Sequence, residues 1–257
     1  MPTDCPRWAP PLFALQFLTR IPVPGLGALS AEQVTIGLGR AVKWFPLVGT
    51  LVGAVTAAVF AGAASVWPRA IAVVIALIVE ARLTGAFHED AVADFCDGFG
   101  GGRDADHVRA IMKDSRIGSY GALGLVLAVG LRATAIVGLG PGIAVAAVVA
   151  SATFGRLLAV AAMAAIPPAA AGTGLAKDIG AAIGVRDVAT ATLLALPGLA
   201  LFAIARPLAL LATIAAAALL LLWFRQLLLR RIGGSTGDCL GFAAYAGQLI
   251  LLLAVVA

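Results

Sequence analysis

Charge is what this sequence has least of. Of 257 residues only 12% are Asp, Glu, Lys or Arg, about half of the ~25% usual in a soluble domain. A chain this long folded in water would lack the charge to cover its surface, so the bilayer is the expected solvent. Cysteine is scarce too. Cys5, Cys96 and Cys239 are odd in number and form no Cys-x-x-Cys pair, which argues against a disulfide framework and a structural zinc site. Aromatic residues make up 7%. The basic residues behind the net charge of +5 are scattered between apolar runs. With no aromatic-rich basic patch, nucleic acid is not an expected partner, and the lysines and arginines read as topology signals. The opening residues, MPTDCPRWAPPLF, lack the basic start, apolar run and cleavage site of a signal peptide.

What the chain has in abundance is apolar sequence, 61% of it. Residues 1–43 are mixed and proline-rich and read as a cytoplasmic or interfacial arm. Apolar runs then cover about 44–67, 70–87, 117–139, 143–166, 188–205, 207–229 and 239–257. A helix rises 1.5 Å per residue, so runs near 20 residues cross a ~30 Å hydrocarbon core. The expected fold is therefore all-α: a polytopic integral membrane protein of about seven transmembrane helices, forming a single membrane domain over 1–257. With the amino terminus in the cytoplasm, loops 88–116, 167–187 and 230–238 share that side and carry most of the Lys and Arg, as the positive-inside rule prefers. Alanine-rich stretches such as 143–150 suit close helix packing.

The chemistry-bearing stretch is 88–116, expected as an acidic cytoplasmic active-site loop. It opens His88-Glu89-Asp90-Ala91-Val92-Ala93-Asp94-Phe95-Cys96-Asp97-Gly98. If the second span continues as a helix, Asp90, Asp94 and Asp97 fall within roughly 60° of one another at about 100° per residue. Three unpaired carboxylates on one face at a membrane boundary repel one another and resist desolvation. A divalent cation relieves both, and oxygen-only ligands select Mg2+ or Mn2+. Mg2+ suits phosphoryl transfer because it neutralises charge building on phosphate oxygens. Asp114 is placed to complete the shell, and Lys113 and Arg116 to clamp phosphate oxygens. Gly100-Gly101-Gly102 suits a loop that brings backbone N–H groups to a phosphate, or a plain linker. His88 points roughly 160° from Asp90 on a regular helix, so packing competes with a general-base role.

Other charges lie in or near spans. Glu80 and Arg82 are expected to pair with each other or face the site, and Arg156 to meet a phosphate or an Asp. Arg132, nearer the far side, is expected to snorkel. The loop Gly233-Gly234-Ser235-Thr236-Gly237-Asp238 opens the last span. Its glycines and hydroxyls at a helix start suit an anion, with Asp238 as a further ligand or an N-terminal cap.

These elements resemble, in order, those of the cobalamin (5′-phosphate) synthase family, also called adenosylcobinamide-GDP ribazoletransferase. Leu15-Gln16-Phe17-Leu18-Thr19-Arg20-Ile21-Pro22-Val23-Pro24 resembles the family's opening and Phe45-Pro46-Leu47-Val48-Gly49 its first span. Thr84 to Gly98 resembles its His-x-Asp-Gly-x-x-Asp-x-x-Asp-Gly signature, with Ala91 where glycine is common. Arg109 to Gly118 resembles its Ile-Met-Lys-Asp-Ser-Arg element, and Gly233 to Asp238 its late Gly-Gly-x-Thr-Gly-Asp element. Pro167 to Leu175 departs by lacking an arginine often found there.

The resemblance implies an enzyme of cobalamin biosynthesis in the bacterial inner membrane. A ribose hydroxyl of α-ribazole or its 5′-phosphate attacks the cobinamide-linked phosphorus of adenosylcobinamide-GDP, and GMP leaves. It implies Mg2+ at Asp90, Asp94, Asp97 and Asp114, and proton transfer through Asp94 or His88. Substrate contacts are implied at Lys113, Ser115, Arg116, Thr236 and Asp238, and an oligomer is compatible with the resemblance. A CDP-alcohol phosphotransferase is disfavoured, because its Ala-Arg pair is replaced by Gly101-Gly102. A transporter is disfavoured because its charges would sit near the midplane rather than in one boundary cluster.

Overall fold

A computed structural model describes residues 4–169 and 183–257, so most of the 167–187 loop, including the PPAAAGTGL departure from Ala170 on, lies outside the described residues. The described chain is helical: α1 (Ala9–Leu18), α2 (Ala31–Ala41), α3 (Phe45–Ala64), α4 (Arg69–Thr84), α5 (Phe87–Gly101) and α6 (Ala105–Met112) come first. They are followed by α7 (Ser119–Gly138), α8 (Pro141–Ala165), α9 (Val185–Ala205), α10 (Pro207–Ile232) and α11 (Gly237–Val256). Six stretches, 31–64, α7, α8, α9, α10 and α11, are long and apolar enough to cross a membrane, and α4 with α5 makes a bent seventh. The protein is thus an all-α, multi-pass membrane protein.

Local sequence sets the boundaries. Pro141 and Pro207 open α8 and α10 at the turn where a missing N–H costs nothing. Ser30 and Gln33 cap α2 reciprocally. Gly233, at φ 75°, ends α10 in the left-handed conformation. The same device breaks the second span. Gly85 (φ 71°) and Ala86 (φ 56°) are both left-handed, and α5 leaves α4 at 89°. The backbone N–H of Arg20 donates to the Leu83 carbonyl (2.7 Å), so the amino-terminal arm holds the break.

Around α8 pack α3, α9 and α11. Small residues allow backbones to approach. A methyl on Gly49 of α3 would stand 2.6 Å from the Ala152 carbonyl oxygen, and one on Gly247 of α11 would stand 3.0 Å from the Gly155 Cα. The outward faces of α7, α9 and α10 keep large apolar residues exposed, among them Leu123, Leu201 and Leu219. That is the surface a hydrocarbon solvent accepts.

Three expectations change. Segment 88–116 is not a loop but two helices, α5 and α6, because apolar Val92, Phe95, Val108 and Met112 bury themselves against the bundle. Segment 230–238 shrinks to the four residues between α10 and α11. Arg132 does not snorkel: it is 1% exposed and donates to both Glu80 oxygens at 2.9 and 2.7 Å. Glu80 therefore pairs with Arg132 rather than with exposed Arg82.

Candidate active site

The acidic helix α5 lies between α7 and α11, wedged in by glycines. A Cβ on Gly241 of α11 would meet the Ala91 methyl at 2.5 Å, and one on Gly118 would meet the Asp97 carboxylate at 2.5 Å. Along α5 the three spaced carboxylates sink progressively: Asp90 is exposed, Asp94 half-buried and Asp97 buried.

Their partners differ. The Gly118 N–H donates to Asp97 Oδ2 (2.7 Å) and the Gly121 N–H to Oδ1 (2.8 Å). Asp97 thereby satisfies two of the donors left open at the start of α7 and fixes α5 to it. Asp94 has no such donors among the described residues. It is partly buried among like charges, those of Asp90, Asp238 and Asp97. Asp238, brought in from the first turn of α11, is the member that spacing on α5 could not supply.

The start of α11 is held by the chain around it. The Thr236 hydroxyl, not Asp238, caps the helix by accepting from the Cys239 N–H (3.4 Å). Ser235 N–H donates to the Pro167 carbonyl (2.8 Å) and Ala169 N–H returns to the Ser235 carbonyl (3.0 Å). The chain leaving α8 is thus stitched to the loop before α11. Arg109 donates to the Ile232 carbonyl (2.9 Å) and Arg231 to that of Gly102 (2.9 Å), tying α6 and the end of α5 to the end of α10.

Asp114 and Arg116 hold each other. Arg116 donates through Nη2 to Oδ2 (2.6 Å) and through Nε to Oδ1 (3.0 Å). These bonds, with one from the Arg116 backbone, pull the Asp114 carboxyl down to about 2. The pair lines a surface groove with Asp97, Gly101 and Gly118. Lys113 and Ser115 are exposed beside it. His88 is 3% exposed and on the other side of α5, where it faces an apolar cavity with Arg156, Phe17, Phe45, Phe87 and Gly241.

Among the described residues, no three His, Cys, Asp or Glu side chains converge as a ready metal shell. The donor chemistry nevertheless fits a hard divalent cation. Asp90, Asp94 and Asp238 offer oxygen donors only, the ligand type that a hard divalent cation takes, and the charges of Asp90 and Asp238 act on Asp94.

Sequence reasoning missed the Glu80–Arg132 pair. Thr56 donates to Glu80 (2.9 Å) and Arg132 approaches Glu89 at 3.8 Å. The signal was available as charges inside apolar runs, which require partners, but not which charge meets which.

The motifs thus lie where three separate parts of the chain meet. The model of the cobalamin-5-phosphate synthase family matches residues 10–256. A protein of Leptothrix cholodnii named adenosylcobinamide-GDP ribazoletransferase is 40% identical over 256 residues, covering 92% of this chain and 93% of the relative. Similarly named proteins of Ralstonia nicotianae and Vibrio cholerae are 38% and 34% identical, covering 95% and 96% of this chain and 93% and 92% of theirs. No solved structure matches. With the motifs gathered on one polar end and the match running almost end to end, the chain belongs to the cobalamin-5-phosphate synthase family.

Proposed function

We propose that this chain is an adenosylcobinamide-GDP ribazoletransferase, acting late in cobalamin biosynthesis. A ribose hydroxyl of α-ribazole, or of its 5′-phosphate, attacks the cobinamide-linked phosphorus of adenosylcobinamide-GDP. A P–O bond forms, the bond from that phosphorus to the GMP oxygen breaks, and GMP leaves with its electron pair. The hydroxyl proton passes to a base of the site. The product is adenosylcobalamin or its 5′-phosphate. The single observation that carries this reading is the near full-length family match combined with an acidic face on α5 beside the start of α11.

Asp90, Asp94 and Asp238 are the residues proposed to hold Mg2+, which when bound would neutralise charge on the phosphate oxygens. Asp94 is the proposed base, being half-buried and, among the described residues, without an N–H donor. Asp97 keeps its two α7 donors and so sets where Asp94 stands one turn earlier. Lys113, Ser115 and Arg116 form the rim offered to the diphosphate, Arg116 exchanging Asp114 for a phosphate oxygen. Thr236 holds the α11 turn that carries Asp238. The proposed location is the cytoplasmic face of the bacterial inner membrane, a reading supported by the Lys and Arg distribution under the positive-inside rule.

The test uses protein in nanodiscs with adenosylcobinamide-GDP and α-ribazole, with and without Mg2+, following GMP and corrinoid product. Mg2+-dependent coupling that is lost in a folded Asp94→Asn variant supports the assignment. Absence of product with any divalent metal refutes it.

A further inference from the structure

The bundle buries two guanidinium groups, and they are treated differently. Arg132 is neutralised by Glu80 at 2.7 Å. Arg156, 1% exposed, makes no ion pair among the described residues. Its Nη1 reaches the Ala152 carbonyl at a long 3.3 Å, its Nη2 lies 3.5 Å from His88 Nδ1, and its Nε has no partner. A guanidinium offers five donors and stays charged at any ordinary pH. Glu80 and Glu89 act on its charge only from beyond ion-pair distance; a guanidinium with no carboxylate in contact inside an apolar bundle is costly, and such residues mark ligand sites.

Arg156 is not sealed away. It lines a cavity of about 60 Å³, room for more than one water. The cavity walls include the Phe17, Phe45 and Phe87 rings, His88 and the first turns of α11 at Gly237 and Gly241. Phe17 stacks on Phe45 (centroids 5.6 Å) and meets Phe87 edge-on (5.4 Å). Among the described residues, no carboxylate lines the cavity. The chemistry is that of a compact anion attached to a flat aromatic body.

We propose that Arg156 and His88 form a phosphate-monoester site in this cavity and that it receives the 5′-phosphate of the acceptor, with the aromatic wall against the attached base. The assignment to the acceptor rests on the transferase reading above. The donor's diphosphate belongs with the carboxylates on the opposite side of α5. The cavity adjoins those carboxylates across the first turn of α11, because Gly237 and Gly241 line it while Asp238 between them acts on Asp94. Arg156 is thus a residue that determines which form of the acceptor is preferred.

Two readouts test this. In turnover, kcat/KM is compared for α-ribazole 5′-phosphate and α-ribazole in wild type, Arg156→Lys and Arg156→Gln. The preference for the phosphorylated acceptor is expected to fall about tenfold or more in Arg156→Gln, the scale of a charge-assisted hydrogen bond, with partial rescue in Arg156→Lys. A folding defect lowers both acceptors alike, so an unchanged ratio overturns the proposal. Independently of turnover, both acceptors are titrated calorimetrically into protein in phosphatidylcholine nanodiscs. Wild type is expected to bind the phosphorylated form at least about tenfold more tightly and Arg156→Gln to lose that difference. Equal binding by wild type overturns the proposal. A binding difference without turnover leaves the anion site standing and removes the transferase reading. If phosphatidylglycerol in the nanodisc competes with α-ribazole 5′-phosphate in wild type but not in Arg156→Gln, the anion is a lipid headgroup and the acceptor assignment falls.

Discussion

Two neighbouring carboxylates on one helix face, Asp94 and Asp97, should respond to the same isosteric substitution with opposite signs. Each oxygen of Asp97 accepts one backbone N–H, at 2.7 and 2.8 Å, from Gly118 and Gly121. An asparagine keeps one acceptor and turns an NH2 against the other donor. The loss of one charge-assisted bond at a buried position costs about 1.5–3 kcal/mol. On the scale of a domain of this size each kcal/mol moves a melting midpoint by about 2–4 °C, so Asp97→Asn should melt roughly 3–12 °C lower. Asp94 has the reverse balance, partly buried among three like charges. Without divalent metal, Asp94→Asn should melt at or above the wild-type midpoint. Mg2+ then separates them further. Binding at about a hundred times Kd stabilises by about 2.7 kcal/mol, a gain expected in wild type and Asp97→Asn and lost in Asp94→Asn. The assay is thermal unfolding of detergent-purified protein, by circular dichroism, in EDTA and in a Mg2+ series. Equal midpoints for the two variants in EDTA would refute the separation of roles. An equal Mg2+ response in wild type and Asp94→Asn would refute the metal assignment.

The buried Glu80–Arg132 pair should behave as a unit: Glu80→Gln or Arg132→Met alone should each destabilise by about 3–5 kcal/mol, and the double variant by much less than the sum. Strict additivity in a thermal-unfolding cycle would show that the pair is not coupled. At the α4–α5 break, Gly85→Ala forces a side chain to φ 71° and should cost about 1–2 kcal/mol, with Arg20, whose guanidinium lies over that site, shifting aside. A midpoint unchanged from wild type in the same assay would mean that α5 can leave α4 by another route.

The membrane class, the number of spans and the acidic face were readable in the sequence because each is local. Apolar runs of a given length report the solvent thickness, and spacing along one helix reports a face. Family motifs carry the activity in the same linear way. The chain also announced that Glu80, Arg132 and Arg156 needed explanation, since a charge in an apolar run is conspicuous. It could not say that Glu80 meets Arg132 across α4 and α7, or that Arg156 is left facing a cavity. Those outcomes depend on how the helices pack against one another, in which close approaches at Gly49, Gly155 and Gly247 take part. Nor could it show that Asp97 turns inward to two α7 amides while Asp94 accepts no such bond among the described residues. The two differ by three residues on one helix and by less than a turn, and only the position of α7 distinguishes them. Asp238 joins Asp90 and Asp94 for the same reason: residues far apart in the chain come together only through tertiary packing, whose free energy is spread over the whole bundle rather than written at any one position.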